Sequence, residues 1–269
     1  MALITLLTDF GHSDEYAGVM KGVILSIDQD ADIIDLTHMI DPQDITQASY
    51  LLKASYPYFP KNTIHVVVVD PGVGTERKIV VLKIDGHFFL APDNGVLSCL
   101  WQNQSIEAGV WVTNPQYFLH DVSRTFHGRD IIAPVAAWLS RKTPIKNLGP
   151  PVKYSDLKTI KILTAKISPE NCIDGSVFSI DRFGNLLTNI EAGTIFQLCR
   201  QHPNKLPVVK IGKIFIKGLS NSYQSVPEKK ALMIIGSRGY LEIAVNCGNA
   251  DQILGVRKGD PVAITLATS

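Results

Sequence analysis

Asp70 and Arg77 bracket the most chemically suggestive stretch of this sequence, HVVVVDPGVGTER at residues 65–77. Its run of valines is β-branched and apolar, the pattern of a buried strand. Asp70 therefore leaves that strand at its carboxyl end, where open α/β sheets place their ligand crevices. The glycines keep side chains off the loop, so that a ligand or a neighbouring backbone can come close. Arg77 stands where the next strand begins, and a hairpin-like return brings it back beside Asp70 as a charged pair at a crevice. A surface ion pair on an ordinary turn fits the same spacing.

Further polar residues gather at turn positions. TFHGRDIIAP (125–134) places His127, Arg129 and Asp130 before a helix, and a histidine beside a glycine at a loop mouth is a candidate for proton chemistry. His127 and Asp130 do not make a recognised metal-ligand pair, and no third ligand suggests itself. TDFGHSDEY (8–16) sets Asp9 and Asp14 between a strand and a helix, where an acid can accept the hydroxyls of a ribose. Capping of that helix by Ser13 or Asp14 is the competing reading. The segment is not a phosphate-binding P-loop, because no GK[ST] follows it. In APDNGVLS (91–98), Asn94 and Gly95 mark a strand-to-helix turn. In DRFGNLLTNI (181–190), Phe183 can stack on a base, and the Asn185 amide offers a donor and an acceptor side by side. Ser237 and Arg238 suit a carboxylate, with Asn246 beyond the strand that follows. Turns joining barrel strands account for these last two segments equally well.

The elements that must position these residues fall into two groups. Residues 2–7, 33–36, 64–69, 79–84 and 87–91 read as strands, the last two joined by an Asp85-Gly86 hairpin turn. Residues 15–27, 45–55 and 131–139 read as helices, with Asp41 or Asp44 capping the second and a shorter helix at 96–101. Strands alternating with helices imply a mostly parallel sheet covered on both faces. Residues 141–154, rich in Pro, Lys and Gly, read as a linker. Beyond them helix signals nearly vanish, and short strands are expected at 161–167, 175–180, 186–190, 208–211, 213–216, 231–235, 241–245 and 261–265. That rhythm is one of a small antiparallel barrel or sandwich. Two domains are expected, an α/β domain over 1–155 and a β domain over 165–269.

Composition narrows the function classes. The chain of 269 residues is 45% hydrophobic and 19% charged, an ordinary globular balance. A formal net charge of +1 leaves no electrostatic footprint for nucleic acid or an anionic membrane surface. The four cysteines, Cys99, Cys172, Cys199 and Cys247, show neither a CxxC nor a zinc-like spacing, nor do they suggest a disulfide framework. The first residues meet Asp9 before any signal-peptide core develops, and no apolar run approaches a membrane span. A cytoplasmic protein with reduced thiols is expected.

Taken in order, LLTDFG (6–11), VVDPGVG (68–74), APDNG (91–95), TFHGRDIIAP, DRFGNLLTNI and SRGYLEIAVNCGNA (237–250) resemble one family across nearly the whole chain. It is the S-adenosyl-L-methionine (SAM) hydroxide adenosyltransferases, or SAM hydrolases, relatives of the fluorinating and chlorinating adenosyltransferases. The resemblance implies an N-terminal Rossmann-like domain, a C-terminal β-barrel, and a homotrimer whose active sites lie between neighbouring subunits. It implies conversion of SAM and water to adenosine and L-methionine, with SAM as substrate and no cofactor or metal. The family's Asp, Arg and His set falls on Asp70, Arg77 and His127, acting on water either by proton abstraction or by capture of hydroxide. By the same resemblance Asp9 and Asn94 belong to the substrate-binding set and Asp14 holds the ribose. Phe183, Asn185 and Asn246 take adenine, while Asp181, Ser237 and Arg238 take the methionine end. The halogenating relatives carry tyrosine at the Asp70 position and serine where this chain has Gly128, which favours water over halide here. The fluorinating relatives also carry tryptophan where this chain has Gln43. Halide-dependent adenosyl transfer and a non-catalytic adenosine or SAM sensor are the alternative readings.

Overall fold

The valine run forms a strand in which successive side chains serve two different cores. In the computed structural model, which describes residues 3–101, 105–162 and 164–268, the chain divides into two compact units, 1–162 and 163–269. The first unit contains β1 (Leu3–Thr8), α1 (Tyr16–Ile27), β2 (Asp32–Thr37), α2 (Ile45–Ser55) and β3 (Ile64–Val68). It continues through β4 (Ile79–Ile84), β5 (His87–Pro92), β6 (Ile106–Trp111) and α3 (Ala133–Ser140). Its six-stranded sheet runs β2-β1-β3-β5-β4-β6, parallel from β2 through β5 and antiparallel at β4 and β6.

Val66 and Val68 pack with Met20 and Ile24 of α1 and Ala133 and Ala136 of α3. Val67 and Val69 pack on the opposite face with Ala48 and Leu52 of α2. This alternation is the period of two that a strand imposes, and burial on both faces explains why the run is continuously apolar. Asp44 caps α2, its carboxylate accepting the Gln47 N–H at 2.9 Å. Neither Ser13 nor Asp14 caps α1, whose N-cap is Glu15 with no side-chain bond.

Two expectations are corrected in this unit, and one strand was not anticipated. Residues 141–154 are not a free linker, because Leu148 and Val152 are buried in the two cores and the Pro150 carbonyl accepts the Trp111 N–H. The proline and lysine content of that segment hid its apolar anchors. The helix expected at 96–101 is a single 3-10 turn, Ser98–Leu100. Strand β6 had no counterpart in the sequence reading. Ala2 and Leu163, at which strands were expected, lie outside the described residues.

The second unit contains β7 (Lys166–Ile167), β8 (Ile173–Ile180), β9 (Leu186–Glu191), α4 (Ala192–Gln201), β10 (Lys205–Ile211) and β11 (Ile214–Lys217). It ends with β12 (Leu219–Ser220), β13 (Ala231–Ile235), β14 (Tyr240–Val245), α5 (Ala250–Leu254) and β15 (Pro261–Thr268). The sheet runs β11-β10-β15-β8-β9-β14-β13-β12, with β7 beside β8, and is antiparallel except at β12–β13. It curls into a barrel-like form, with β11 coming near β13. Helix α4 was missed. Its buried Ile195 and Leu198, with Cys199 beside them, follow the i, i+3, i+4 spacing of a helix face.

Candidate active site

Two residues past β3, the chain turns sharply and folds Arg77 back onto Asp70. The turn is closed by Val73 N–H to the Asp70 carbonyl, at 3.3 Å, and by the Thr75 hydroxyl to the Gly72 carbonyl, at 2.7 Å. Arg77 Nε donates to both Asp70 oxygens, at 3.0 and 2.8 Å, and Nη2 reaches Oδ2 at 2.5 Å. Both side chains are 5% exposed. The surface-ion-pair reading therefore gives way to a buried, forked pair, the geometry in which guanidinium and carboxylate interact most strongly.

His127 joins this pair from a separate loop. It precedes a π-helical turn, Gly128–Ile132, and Arg77 Nη2 lies 3.0 Å from its Nδ1. A guanidinium has only donors, so Nδ1 accepts and the ring proton resides on Nε2. Burial, and then the Arg77 charge, push the imidazole below its ordinary range, against the opposing pull of Asp70 and Asp130. His127 is thus a neutral imidazole whose tautomer is set by Arg77.

Gly74 brings the two loops together. It has φ +78, and a Cβ there would run into the Arg124 carbonyl oxygen. The close approach that these glycines permit is to a backbone three residues before His127. Asn94 buttresses the other side, its amide donating to the Val69 carbonyl at 2.8 Å and accepting from Val96 N–H at 3.1 Å. Asn94 thereby holds the residue before Asp70, and it does not line the cleft.

Asp9, Phe10, Gln43, Val73, Phe126 and the pair Asp70 and His127 line a cleft of about 290 Å³. Asp9 accepts the N–H of Gln43 at 2.8 Å and so pins a residue held at φ +67. One wall is aromatic, with Phe126 edge-on to Phe10 and to Tyr16 at centroid distances of 5.9 and 5.1 Å. Phe10 and Phe126 were not read as site residues, although each lies in a motif, and Gln43 was noted only as the position of a tryptophan in the fluorinating relatives. Asp14 is exposed before α1 and is not among the residues lining this cleft.

The second unit carries its own, larger cleft of about 870 Å³, lined among others by Asp181, Phe183, Asn185, Ser237, Arg238 and Glu242. Asp181 organises the turn between β8 and β9. Its Oδ1 accepts the N–H groups of Phe183 and Asn185, both at 2.9 Å, and its Oδ2 accepts the Asn185 amide at 3.0 Å. That turn presents Phe183 at 77% exposure, unusual for so large an apolar ring. Asn246 does not line the cleft. Its amide donates to the Val226 carbonyl at 2.7 Å, and the Cys247 thiol lies 3.5 Å from its oxygen.

Glu242 and Tyr223 also line this cleft and were missed by sequence reading. The Tyr223 hydroxyl donates to Glu242 Oε2 at 3.1 Å. Burial, reinforced by Asp181, pushes the Glu242 carboxyl up despite that bond and the nearby Arg238 charge. A glutamate within a strand whose other residues are all apolar or aromatic was the available signal. Among the described residues no group of three His, Cys, Asp or Glu side chains could hold a metal ion, and no helix is long and apolar enough to cross a membrane.

Comparison with known proteins places these clefts in a context. Residues 4–149 match the SAM hydroxide adenosyltransferase N-terminal domain, and residues 175–263 match its C-terminal domain. The chain is 32% identical over 266 residues to the (R)-S-adenosyl-L-methionine hydrolase of Salinispora arenicola, covering 97% of each. A fluorinase from Actinopolyspora mzabensis is more distant, at 23% identity over 98% of this chain and 97% of its own. Among solved structures, an uncharacterized conserved protein from Thermotoga maritima superposes with a TM-score of 0.90 at 36% identity, covering 97% of this chain and 99% of that one.

Proposed function

Because the chain belongs to the SAM hydroxide adenosyltransferase family, we propose that it hydrolyses SAM to adenosine and L-methionine. The observation that carries this reading is the continuous contact from Asp70 through Arg77 to His127, on one side of a cleft walled by aromatic rings. The leaving group is a sulfonium, which departs with the C5′–S electron pair as a neutral thioether and needs no general acid. The weak reactant is water, with a bulk pKa of roughly 15.7. Asp70 Oδ1 has a single Arg77 contact and keeps capacity to accept a water hydrogen. Water oxygen attacks C5′ opposite sulfur, its proton passing to Asp70. Arg77 and the neutral His127 fix the carboxylate and the nucleophile in line.

The second cleft suits recognition. Phe183 supplies a face for the adenine ring, the remaining N–H and oxygen of Asn185 suit its edge, and Ser237 with Arg238 suit the carboxylate of methionine. Neither cleft alone carries both sets, and the homotrimer that the family resemblance implies would bring an N-terminal domain and a neighbouring subunit's C-terminal domain together.

Incubation of the protein with SAM is expected to release adenosine and methionine in equal amounts, independent of halide. Asp70→Asn keeps the shape but removes the proton acceptor, and it is expected to slow turnover by about 10²–10⁴-fold. Turnover at the wild-type rate in that variant would refute the mechanism. Chloride-dependent formation of 5′-chloro-5′-deoxyadenosine would favour halide transfer, and tight adenosine binding without turnover would favour a sensor.

A further inference from the structure

Asp130 is fully buried, at 0% exposure, yet it takes no part in the chemistry at Asp70. A carboxylate withdrawn from water is costly unless donors meet it, so the donors show what the acid is for. Asp130 ties down the segment that leads into His127 at three points. Its Oδ2 accepts the Ser123 N–H at 2.7 Å, and its carbonyl accepts the Leu119 N–H at 2.9 Å. Its own N–H donates to the Phe126 carbonyl at 3.1 Å. Arg129 completes the set, with Nε meeting Oδ1 at 2.6 Å and Nη2 meeting Oδ2 at 3.1 Å. The same guanidinium lies over the Phe126 ring, 5.2 Å from its centroid.

The segment has little else to hold it. Residues 119–126 form no helix or strand, and between Leu119 and Phe126 no side chain is buried. Exposed backbone with few packed anchors opens readily. An apolar residue at position 130 could fill the same volume, but it could not accept the Ser123 N–H. Ser123 directly precedes Arg124, whose carbonyl is the one that Gly74 admits. The two loops of the site therefore meet at a point that Asp130 fixes from behind.

We propose that Asp130 is a positioning residue for the reaction, holding through Ser123 the loop that presents His127 to Arg77. It acts only through His127. Its effect on turnover rests on the SAM hydrolase reading, whereas its hold on His127 does not.

Asp130→Ala removes the acceptor of the Ser123 N–H and is expected to lower kcat for SAM about a hundredfold, the cost of a group misplaced by about 1 Å. Asp130→Asn returns one oxygen to Ser123, because Arg129 is partly exposed and can turn to water. A neutral amide holds that N–H less strongly than a carboxylate, so kcat is expected to recover to about five- to tenfold below wild type. A double-mutant cycle with His127→Ala separates positioning from general destabilisation. In the His127→Ala background, Asp130→Ala is expected to change kcat by less than about twofold, although Tm falls as much as it does with His127 in place. Should Asp130→Ala fold poorly, Asp130→Asn runs the same cycle with a smaller loss. An equal loss of kcat in both backgrounds, or a wild-type kcat in either variant, would overturn the proposal. The imidazole gives a readout that needs no turnover. At about pH 8, where the ring is neutral, nitrogen NMR is expected to show His127 of wild type as the Nε2–H tautomer alone. Asp130→Ala is expected to show both tautomers, and an unchanged ring there would also overturn the proposal. The expected tautomer change in a protein that releases no adenosine from SAM would refute the hydrolase reading and leave the hold on His127 standing.

Discussion

Replacing Gly74 by alanine is expected to separate catalysis from folding. Gly74 sits at φ +78, a conformation that costs an alanine about 1–2 kcal/mol. The new Cβ would also overlap the Arg124 carbonyl oxygen, and a backbone atom cannot swing aside as a side-chain end can. Reaching ordinary van der Waals separation requires the loops at 70–77 and 123–127 to part by on the order of 1 Å. The contact between Arg77 Nη2 and His127 Nδ1 is 3.0 Å, so a shift of that size takes it beyond hydrogen-bond range. Misplacement by about 1 Å can cost roughly 10²-fold in rate. The expected result is therefore a kcat reduced about a hundredfold, read by chromatographic release of adenosine at saturating SAM. Strain of about 2 kcal/mol lowers Tm by only about 4–8 °C for a chain of this size, leaving the protein folded at 25 °C. Gly218→Ala is the control, because it carries the same backbone strain at φ +77 while a Cβ there would meet nothing within 4 Å. Were Gly74→Ala to lose stability as expected yet turn over within about threefold of wild type, apposition of the two loops could not be what aligns the catalytic set.

Two further outcomes follow from buried and exposed rings. His65 is fully buried against Thr5 and His87, and its pKa is pushed down to about 3, chiefly by burial. The unfolded chain therefore binds a proton near pH 6.5 that the folded one refuses, so stability is lost as pH falls from 6.5 towards 3. That loss reaches about 2 kcal/mol at pH 5. Urea unfolding at pH 7 and 5 measures it, and a His65→Leu variant with an equally steep acid limb would assign it elsewhere. Phe183→Ala removes a ring that is 77% exposed, so Tm should hardly move while adenosine binding weakens by about 1–3 kcal/mol, the worth of one stacked base. Calorimetric titration with adenosine decides this, and unchanged affinity would remove Phe183 from the base site.

The parts of the fold that were legible are those where one physical demand dominates. The valine run had to be a strand buried on both faces, and Asp70 had to emerge at its end. The recurring short strands after residue 160 pointed to a curled antiparallel sheet. Where two demands compete, sequence reading failed. Residues 141–154 satisfy turn chemistry with Pro and Gly, but Leu148 and Val152 decide their fate by entering the cores. Helix α4 presents only a narrow apolar face between two strand-rich segments. Glu242 was passed over because burial of an acid depends on Gly236 and Tyr223, which surround it only once the barrel has formed.

The residues first read as ligand-binding divide into two kinds that no spacing rule separates. Asp9, Asn94, Asp181 and Asn246 are polar residues in or beside turns, as binding residues must be. Their hydrogen-bonding capacity, however, is largely directed inward: to Gln43, to Val69 and Val96, to the Phe183 turn, and to Val226. Asp70, Phe183 and Arg238 are the side chains that retain an open oxygen, an exposed ring or an unmatched charge. A turn beside a ligand needs both kinds, because a binding group is useful only if its own loop is held. Motif matching does not separate the two. What distinguishes them is the count of lone pairs and protons left over after the protein has bonded to itself. What sets Asp70 apart, at the end of the valine strand, is that its partners are Arg77 and, through it, His127. The glycine loop beyond it exists to seat Arg77 and to admit the backbone that carries His127.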